Sequence, residues 1–348
     1  MSTRRRCTKC GKVYEGDARF CPKDGSPLIE IAVAGTSGTT IRKAYKPPAP
    51  DRLTLTSQVV DDRYEVKRRL GEGGMSYVYE ARDLNTGDIV AIKILSPKLS
   101  ADKSSVARLR REAGLAMRLE HPNVLRILRL GETEDGLIYL VMPYLEGELL
   151  SDMEVKTGPM DASLGVELLV QMCAGLHHAH ELHIVHRDLK PENVMIIEGP
   201  EGRRMAVVMD FGLAKENRTD PGMAKLTATG IILGTPEFMS PEQIRGKPLD
   251  ARSDVYALGI LAYEMFAGKL PFQGRNAQEM MIARLRGKPT PIRQVRPDFP
   301  EALGTVIMRS LEADPPDRYD TTLDFGRAAL DALGDAGLHE QLAPLLRR

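Results

Sequence analysis

The spacing of apolar residues changes along the chain, and the change divides it. Between residues 64 and 95, three short runs (YEVKRRL, YVYEARD and DIVAIKIL) are rich in β-branched and aromatic residues and are separated by polar, Gly-containing turns. They predict three strands. Residues 103–119 (KSSVARLRREAGLAMRL) predict a helix, and VLRILRL and LIYLVM two further strands. After residue 161 the period lengthens to that of a helix. In DASLGVELLVQMCAGLHHAH, the side chains of Leu164, Leu168, Leu169, Met172, Cys173 and Leu176 fall on one face. Cys173 on that face reads as a core residue rather than a ligand or nucleophile. The pattern predicts an α+β organisation: a small β-rich lobe followed by a larger helical lobe.

The ends of the chain follow neither period. Residues 1–30 form a small Cys-containing module. Residues 31–60 are rich in Gly, Thr, Ser and Pro and read as a flexible linker. Residues 64–334 are the periodic body, and 335–348 a tail or short helix that Pro344 limits or kinks. The first 50 residues hold ten Lys/Arg against four Asp/Glu, while the 348-residue chain has a formal charge of zero. A basic segment therefore precedes a slightly acidic body. With 42% apolar and 28% charged residues, the chain has a globular composition and needs no disulfide staples. The cysteine spacing is no disulfide framework, no run of about 18 apolar residues suggests a membrane span, and a reducing, cytoplasmic setting is expected.

Three clusters carry chemistry. Gly71-Glu-Gly73-Gly74-Met75-Ser76-Tyr77-Val78 lies between two predicted strands, where glycines let a backbone lie close over phosphates. Ordinary hairpins need glycine too, and neither a Walker A loop nor a dinucleotide fingerprint is present. Lys93 sits in the middle of an apolar strand, which is costly unless the ammonium is paired. A phosphate and Glu112 are the available partners, although Glu112 could equally be a solvated helix charge. The strongest signal is His186-Arg187-Asp188-Leu189-Lys190-Pro191-Glu192-Asn193, followed by Asp210-Phe211-Gly212. One Asp there can orient and deprotonate a hydroxyl. A second Asp and an Asn supply hard oxygen ligands for Mg²⁺, the division of labour that phosphoryl transfer needs.

These blocks, with Ser240-Pro241-Glu242, stand in one order, and over about residues 64–334 the chain resembles the bacterial, eukaryotic-like (Hanks-type) Ser/Thr protein kinases. The resemblance implies the bilobal kinase fold, with a small β-rich N-lobe and a larger helical C-lobe, and ATP and Mg²⁺ (or Mn²⁺) as cofactors. It implies that Leu70, Gly71, Glu72, Gly73, Gly74, Met75, Ser76, Tyr77 and Val78 cover the nucleotide, with Ser76 in place of the usual third glycine. Ala91, the gatekeeper Met142, and Pro143 to Leu145 would meet adenine. Lys93 would hold phosphates and pair with Glu112. Asp188 would be the base, Lys190 would touch the γ-phosphate, Asn193 and Asp210 would bind the metal, and Thr235 would line the protein-substrate platform. Asp254 would brace the catalytic loop, and Arg318 would pair with Glu242. A second Asp-Phe-Gly, at Asp324–Gly326, falls in a late helix and reads as coincidence.

The resemblance also implies a switch. Arg187 before the catalytic Asp accompanies phosphorylation of the following loop, and Thr227 and Thr229 are the expected autophosphorylation sites. Self-association would allow this to occur in trans. The expected partners are proteins with Ser/Thr acceptors, with no nucleic acid. Histidines 177, 178, 180, 183 and 186 invite a metal reading, but they end the long helix before the catalytic loop, and structural roles are favoured. Cys7-x-x-Cys10 with Cys21-x-x-Asp24 resembles a zinc ribbon whose fourth ligand is Asp rather than Cys. A Cys₃Asp zinc site and a ribbon without metal both remain open. The alternative to an active kinase is a pseudokinase scaffold. Loss of Lys93, Asp188 or Asp210 would favour it, and all three are present.

Overall fold

In the computed structural model, the described residues are 4–7, 13–15, 28–30, 58–72, 76–211 and 236–347. The chain divides into two compact units, Met1–Thr54 and Leu55–Arg348. In the first, β1 (Arg4–Cys7) lies between β2 (Val13–Glu15) and β3 (Leu28–Glu30) in an antiparallel sheet. Cys7 closes the central strand opposite Leu28. Cys10, Cys21 and Asp24 lie outside the described residues.

The second unit opens with a six-stranded antiparallel sheet in the order β4-β5-β6-β7-β9-β8. Its strands are β4 (Val59–Val60), β5 (Tyr64–Glu72), β6 (Ser76–Asp83), β7 (Ile89–Leu95), β8 (Arg129–Glu132) and β9 (Ile138–Pro143). Alternation gives it two working faces. Val90, Ile92 and Ile94 of β7 pack with Tyr64, Val66, Tyr79, Tyr139 and Val141 in one buried cluster. Ala91, Leu140 and Met142 point to the other side and pack with Ala113. Ala113 belongs to α2 (Lys103–Ala116), which follows the short α1 (Pro97–Ala101). The β4–β5 turn places Asp61 and Asp62 at φ +55° and +49°. The Asp61 carboxylate accepts from the buried Tyr139 hydroxyl at 2.5 Å and pairs with Arg129 at 2.6 Å.

One expected strand is shorter than its sequence. Of VLRILRL only the end, from Arg129, is in the sheet. Val124 forms an isolated parallel bridge to Val208, and the Leu125 N–H donates to Val208 O. These residues spend their hydrogen bonds on the chain that leads into Asp210, and Val124 packs in the helical lobe's core.

The helical lobe contains α3 (Leu150–Thr157), α4 (Ala162–Glu181), α5 (Pro241–Ile244), α6 (Ala251–Ala267), α7 (Ala277–Leu285), α8 (Ile292–Val295), α9 (Glu301–Ser310), α10 (Thr322–Leu333) and α11 (Ala336–Leu342). A small sheet, β10 (Gly147–Leu149), β11 (Val194–Glu198) and β12 (Arg204–Val208), lies at its junction with the strands above. Helix α4 is more deeply buried than a single apolar stripe predicts. Leu168, Leu169, Met172, Cys173 and Leu176 are joined by Val166, Val170 and Ala174, whereas Leu164 is only half-buried. It is a central helix, covered by α6 and α10 as well as β12. Gly165 permits the close approach, because a Cβ there would sit 2.2 Å from the Phe266 ring. Burial pushes the Cys173 thiol pKa up, so it stays protonated as a core residue. At the C-terminus α11 gives way to a 3₁₀ turn, Ala343–Leu346, at Pro344, and Leu342 and Leu346 join the main core. No helix among the described residues is long and apolar enough to cross a membrane.

Candidate active site

Strand register builds one wall of the cleft. Val78 stands opposite Lys93, Lys93 opposite Leu140, and Ala91 opposite Met142. Residues across a register line share a face, so Val78, Ala91, Lys93, Leu140 and Met142 form one surface. Ala91 and Met142 are buried, Val78, Pro143 and Leu145 half-buried, and Leu70 exposed. Such a surface offers an apolar slot with backbone N–H and C=O groups at its edge. Behind Met142 lies a cavity of about 20 Å³ lined by Leu119, Leu125, Ile127 and Phe211. Gly71, Glu72, Ser76 and Tyr77 are on β5 and β6, which pair at the turn. Gly73, Gly74 and Met75 lie outside the described residues.

The opposite wall is a loop held by a buried carboxylate. Asp254, in the first turn of α6, accepts from the His186 N–H at 2.8 Å, the Arg187 N–H at 3.1 Å and His180 Nε2 at 2.7 Å. Burial works to raise its pKa. The hydrogen bond and field of His180, with those of His186, outweigh burial and hold the carboxyl below its ordinary value. The His186 ring reaches Met209 O at 2.8 Å and packs against the Phe211 ring, tilted by 56° with centroids 4.7 Å apart, so the loop and the Asp210 segment are fastened to each other. Asn193 Nδ2 donates to Asp188 O at 2.7 Å, and Met209 N to Asn193 O at 2.8 Å. Arg187 and Asp210 adopt φ +65° and +56°, the left-handed region that non-glycine residues enter at a cost of about 1 kcal/mol or more. The surrounding bonds over-determine both.

The walls meet at Lys93, whose ammonium lies 2.6 Å from Asp210 Oδ1. Glu112, its expected partner, is half-buried on α2. Asp188 and Lys190 are half-buried in the loop, and Asn193 is buried. Asp210, Asn193 and the nearby carbonyls offer hard oxygen donors, a set suited to Mg²⁺ or Mn²⁺. Of the other histidines, His178 Nε2 accepts from the Glu120 N–H at 3.2 Å and stacks on His121 at 5.5 Å. These contacts are structural.

The region below the loop is held by a second carboxylate. Glu242 and Arg318 form a bidentate pair at 2.8 and 2.9 Å, and Ser253 also donates to Glu242. Burial opposes ionisation of Glu242, and Arg318 overcomes it and lowers its pKa. Gln243 Nε2 donates to Arg187 O at 2.8 Å, tying this segment to the loop that carries Asp188. Thr227, Thr229 and Thr235 lie outside the described residues. Sequence reasoning missed Glu154 and Glu264, whose pKa values burial and neighbouring carboxylates raise to about 8 and about 7, and the buried Arg284. Each is one polar residue among others in a helix, and periodicity assigns such positions to solvent.

A model of the protein kinase domain matches residues 64–323. Serine/threonine-protein kinase pkn3 of Myxococcus xanthus is 39% identical over 287 residues, 82% of this chain and 52% of that protein. PknB of Mycolicibacterium smegmatis is 38% identical over 292 residues, covering 83% of this chain and 45% of that protein. PrkC of Bacillus subtilis is 36% identical over 271 residues, covering 78% and 40%. The chain spans about half or less of the length of these curated relatives. The crystal structure of the Mycobacterium tuberculosis PknI kinase domain matches with a TM-score of 0.64 at 26% identity, over 81% of this chain and all of that one. With the kinase match covering most of its length, this chain belongs to the protein kinase family, of the bacterial serine/threonine type.

Proposed function

We propose that the chain transfers the γ-phosphoryl group of ATP to Ser and Thr hydroxyls of proteins. The observation that carries this reading is the meeting of Lys93 and Asp210 at 2.6 Å, beside a loop whose backbone is fixed by Asp254. Adenine fits the slot of Val78, Ala91 and Met142, with backbone groups of Pro143 to Leu145 at its edge. Lys93 and Lys190 neutralise phosphate charge, and Asp188 orients the acceptor hydroxyl and takes its proton. The acceptor O–P bond forms as the bond between the γ-phosphorus and the β–γ bridging oxygen breaks, leaving ADP. Asn193 and Asp210 would hold Mg²⁺, which supplies charge neutralisation at the phosphates. Glu112 is the residue that would pair with Lys93 where Asp210 serves as a metal ligand.

Autophosphorylation of Thr227 and Thr229, in trans between two copies, belongs to the same reading, as does Thr235 at the acceptor. A cytoplasmic setting suits it, since ATP and Mg²⁺ are supplied there. The basic amino-terminal unit, with Cys7, Cys10, Cys21 and Asp24 as a Cys₃Asp zinc site, is read as a separate module joined by a linker. Metal analysis of the purified full chain beside Cys7→Ser tests that part, and equal zinc in both would end it. The main test is labelled ATP and Mg²⁺ with a generic acceptor protein, wild type beside Asp188→Asn. Label on Ser/Thr from wild type alone supports transfer. ATP binding without transfer would instead make the chain a scaffold.

A further inference from the structure

The buried guanidinium of Arg284 has no place in the chemistry above. It lies on α7 and is fully shielded from solvent. Its Nη2 donates to the backbone carbonyl of Glu237, in the 3₁₀ turn Pro236–Phe238 just after Thr235. The guanidinium also lies over Phe272, 5.9 Å from the ring centroid, and Phe272 stacks on Tyr256 at 6.3 Å. Tyr256 carries the Arg318 guanidinium on its ring at 4.7 Å. A continuous buried column therefore runs from the Glu242–Arg318 pair through two aromatic rings to Arg284, and returns to the chain five residues before Glu242.

A charge held this far from water is costly, and a Leu or Met would fill the space more cheaply. What the guanidinium adds is a fixed, charge-assisted donor to one peptide carbonyl. The 237–243 segment is then pinned at both ends: by Arg284 at Glu237, and by Arg318 and Gln243 at the other. Without the first pin, the part that leads back to Thr235 could pivot about the second.

We infer that Arg284 is a positioning residue for the acceptor polypeptide: through the Glu237 carbonyl it holds the Pro236–Ser240 segment against the catalytic loop, and so sets acceptor affinity rather than nucleotide affinity. This rests on the kinase reading above. The test uses the full chain with Arg284→Met and Arg284→Lys, dephosphorylated casein as acceptor, and ATP hydrolysis without acceptor. Arg284→Met is expected to raise the acceptor KM about tenfold, with the KM for ATP and the acceptor-free hydrolysis within about twofold of wild type, the loss of roughly one charge-assisted bond. Arg284→Lys, with one donor able to reach the carbonyl, should recover part of the loss. An unchanged acceptor KM, or an equal fall in acceptor-free hydrolysis, overturns the inference. If the Met variant does not fold, amide hydrogen exchange of the Lys variant decides. Faster exchange at residues 237–239 with 186–193 unchanged supports the brace, and unchanged exchange at 237–239 rejects it. That arm needs no catalysis, so an inactive wild type would sink the kinase reading without deciding this one.

Discussion

The two ends of helix α6 hold carboxylates in opposite states. Asp254 in its first turn is buried, takes three donors, and has its pKa lowered. Glu264 in its last turn is half-buried, and its pKa rises to about 7, while nearby Glu154 on α3 reaches about 8. Glu154 Oε1 and Glu264 Oε2 are shut from solvent without a hydrogen-bond partner among the described residues. Burial pushes the pKa up at both ends and is the largest cause at Glu264, so what separates the two acids is the compensation that Asp254 receives. Donors and field make the difference: the His180 ring and the His186 and Arg187 N–H groups point at Asp254, while Glu192 and Glu237 add like charge beside Glu264. One end of the helix uses an anion to hold the His186–Asn193 loop, and the other favours a proton on its acid.

Five substitutions sharpen or break that contrast. The largest effect is expected from Asp254→Ala, which leaves the His186 and Arg187 N–H groups without their acceptor. It should cost about 3–5 kcal/mol in urea unfolding and lower kinase activity more than about 100-fold. A loss under about 1 kcal/mol would show that the loop holds itself. Arg318→Met should cost about 3 kcal/mol by stranding the Glu242 charge, and the double variant with Glu242→Leu should recover most of it. Full additivity of the two changes would contradict a coupled pair.

The other end predicts gains. Folded Glu154 keeps its proton up to about pH 8, whereas the unfolded chain loses it near pH 4.5. Folding therefore takes up a proton in that window, and the stability tied to Glu154 is present below pH 4.5 and lost as pH rises through 8. Glu154→Gln should leave stability at pH 5 nearly unchanged and raise it by about 2 kcal/mol at pH 9. Glu264→Gln should act in the same direction by about 1 kcal/mol, because its pKa is lifted less. Thermal midpoints across pH 5–9 check both, and a gain at pH 5 as large as at pH 9 would assign the effect to packing. Asp254 has the opposite sign. Its contribution is present above the ordinary Asp value near 3.8 and is lost only as pH falls below it.

What could be read from the sequence follows from how each residue signals itself. Lys93 in an apolar strand and the run from His186 to Asn193 were legible because their residue types conflict with their surroundings or cluster in a set order. The α+β division was legible from the change of period. The Lys93–Asp210 contact was not, because it depends on where β12 comes to rest. Val124 to Leu128 look like a strand, yet Val124 bridges to Val208 and the Leu125 N–H donates to Val208 O, a partner 84 residues from Val124 that no local pattern names, while the Leu128 N–H already reaches Val141 O of β9. Glu154, Glu264 and Arg284 resemble solvated helix positions, and only packing reveals that water is missing. The zinc-ligand set and the three threonines fall outside the described residues, and their roles stand as proposals.

The left-handed backbone at Arg187 and Asp210 bears on the thermodynamics of ligand capture. The Arg187 N–H is held by Asp254, and the neighbours of Asp210 are held by the His186 ring, which reaches Met209 O and packs on Phe211; these contacts form when the lobe folds, so the conformational entropy of the loop is surrendered then, not when a ligand arrives. Association is left to restrict side chains such as Lys93 and Lys190 on an already ordered frame. Preorganisation of this kind removes a loop-ordering penalty from every encounter and makes the cleft selective for ligands that match its geometry.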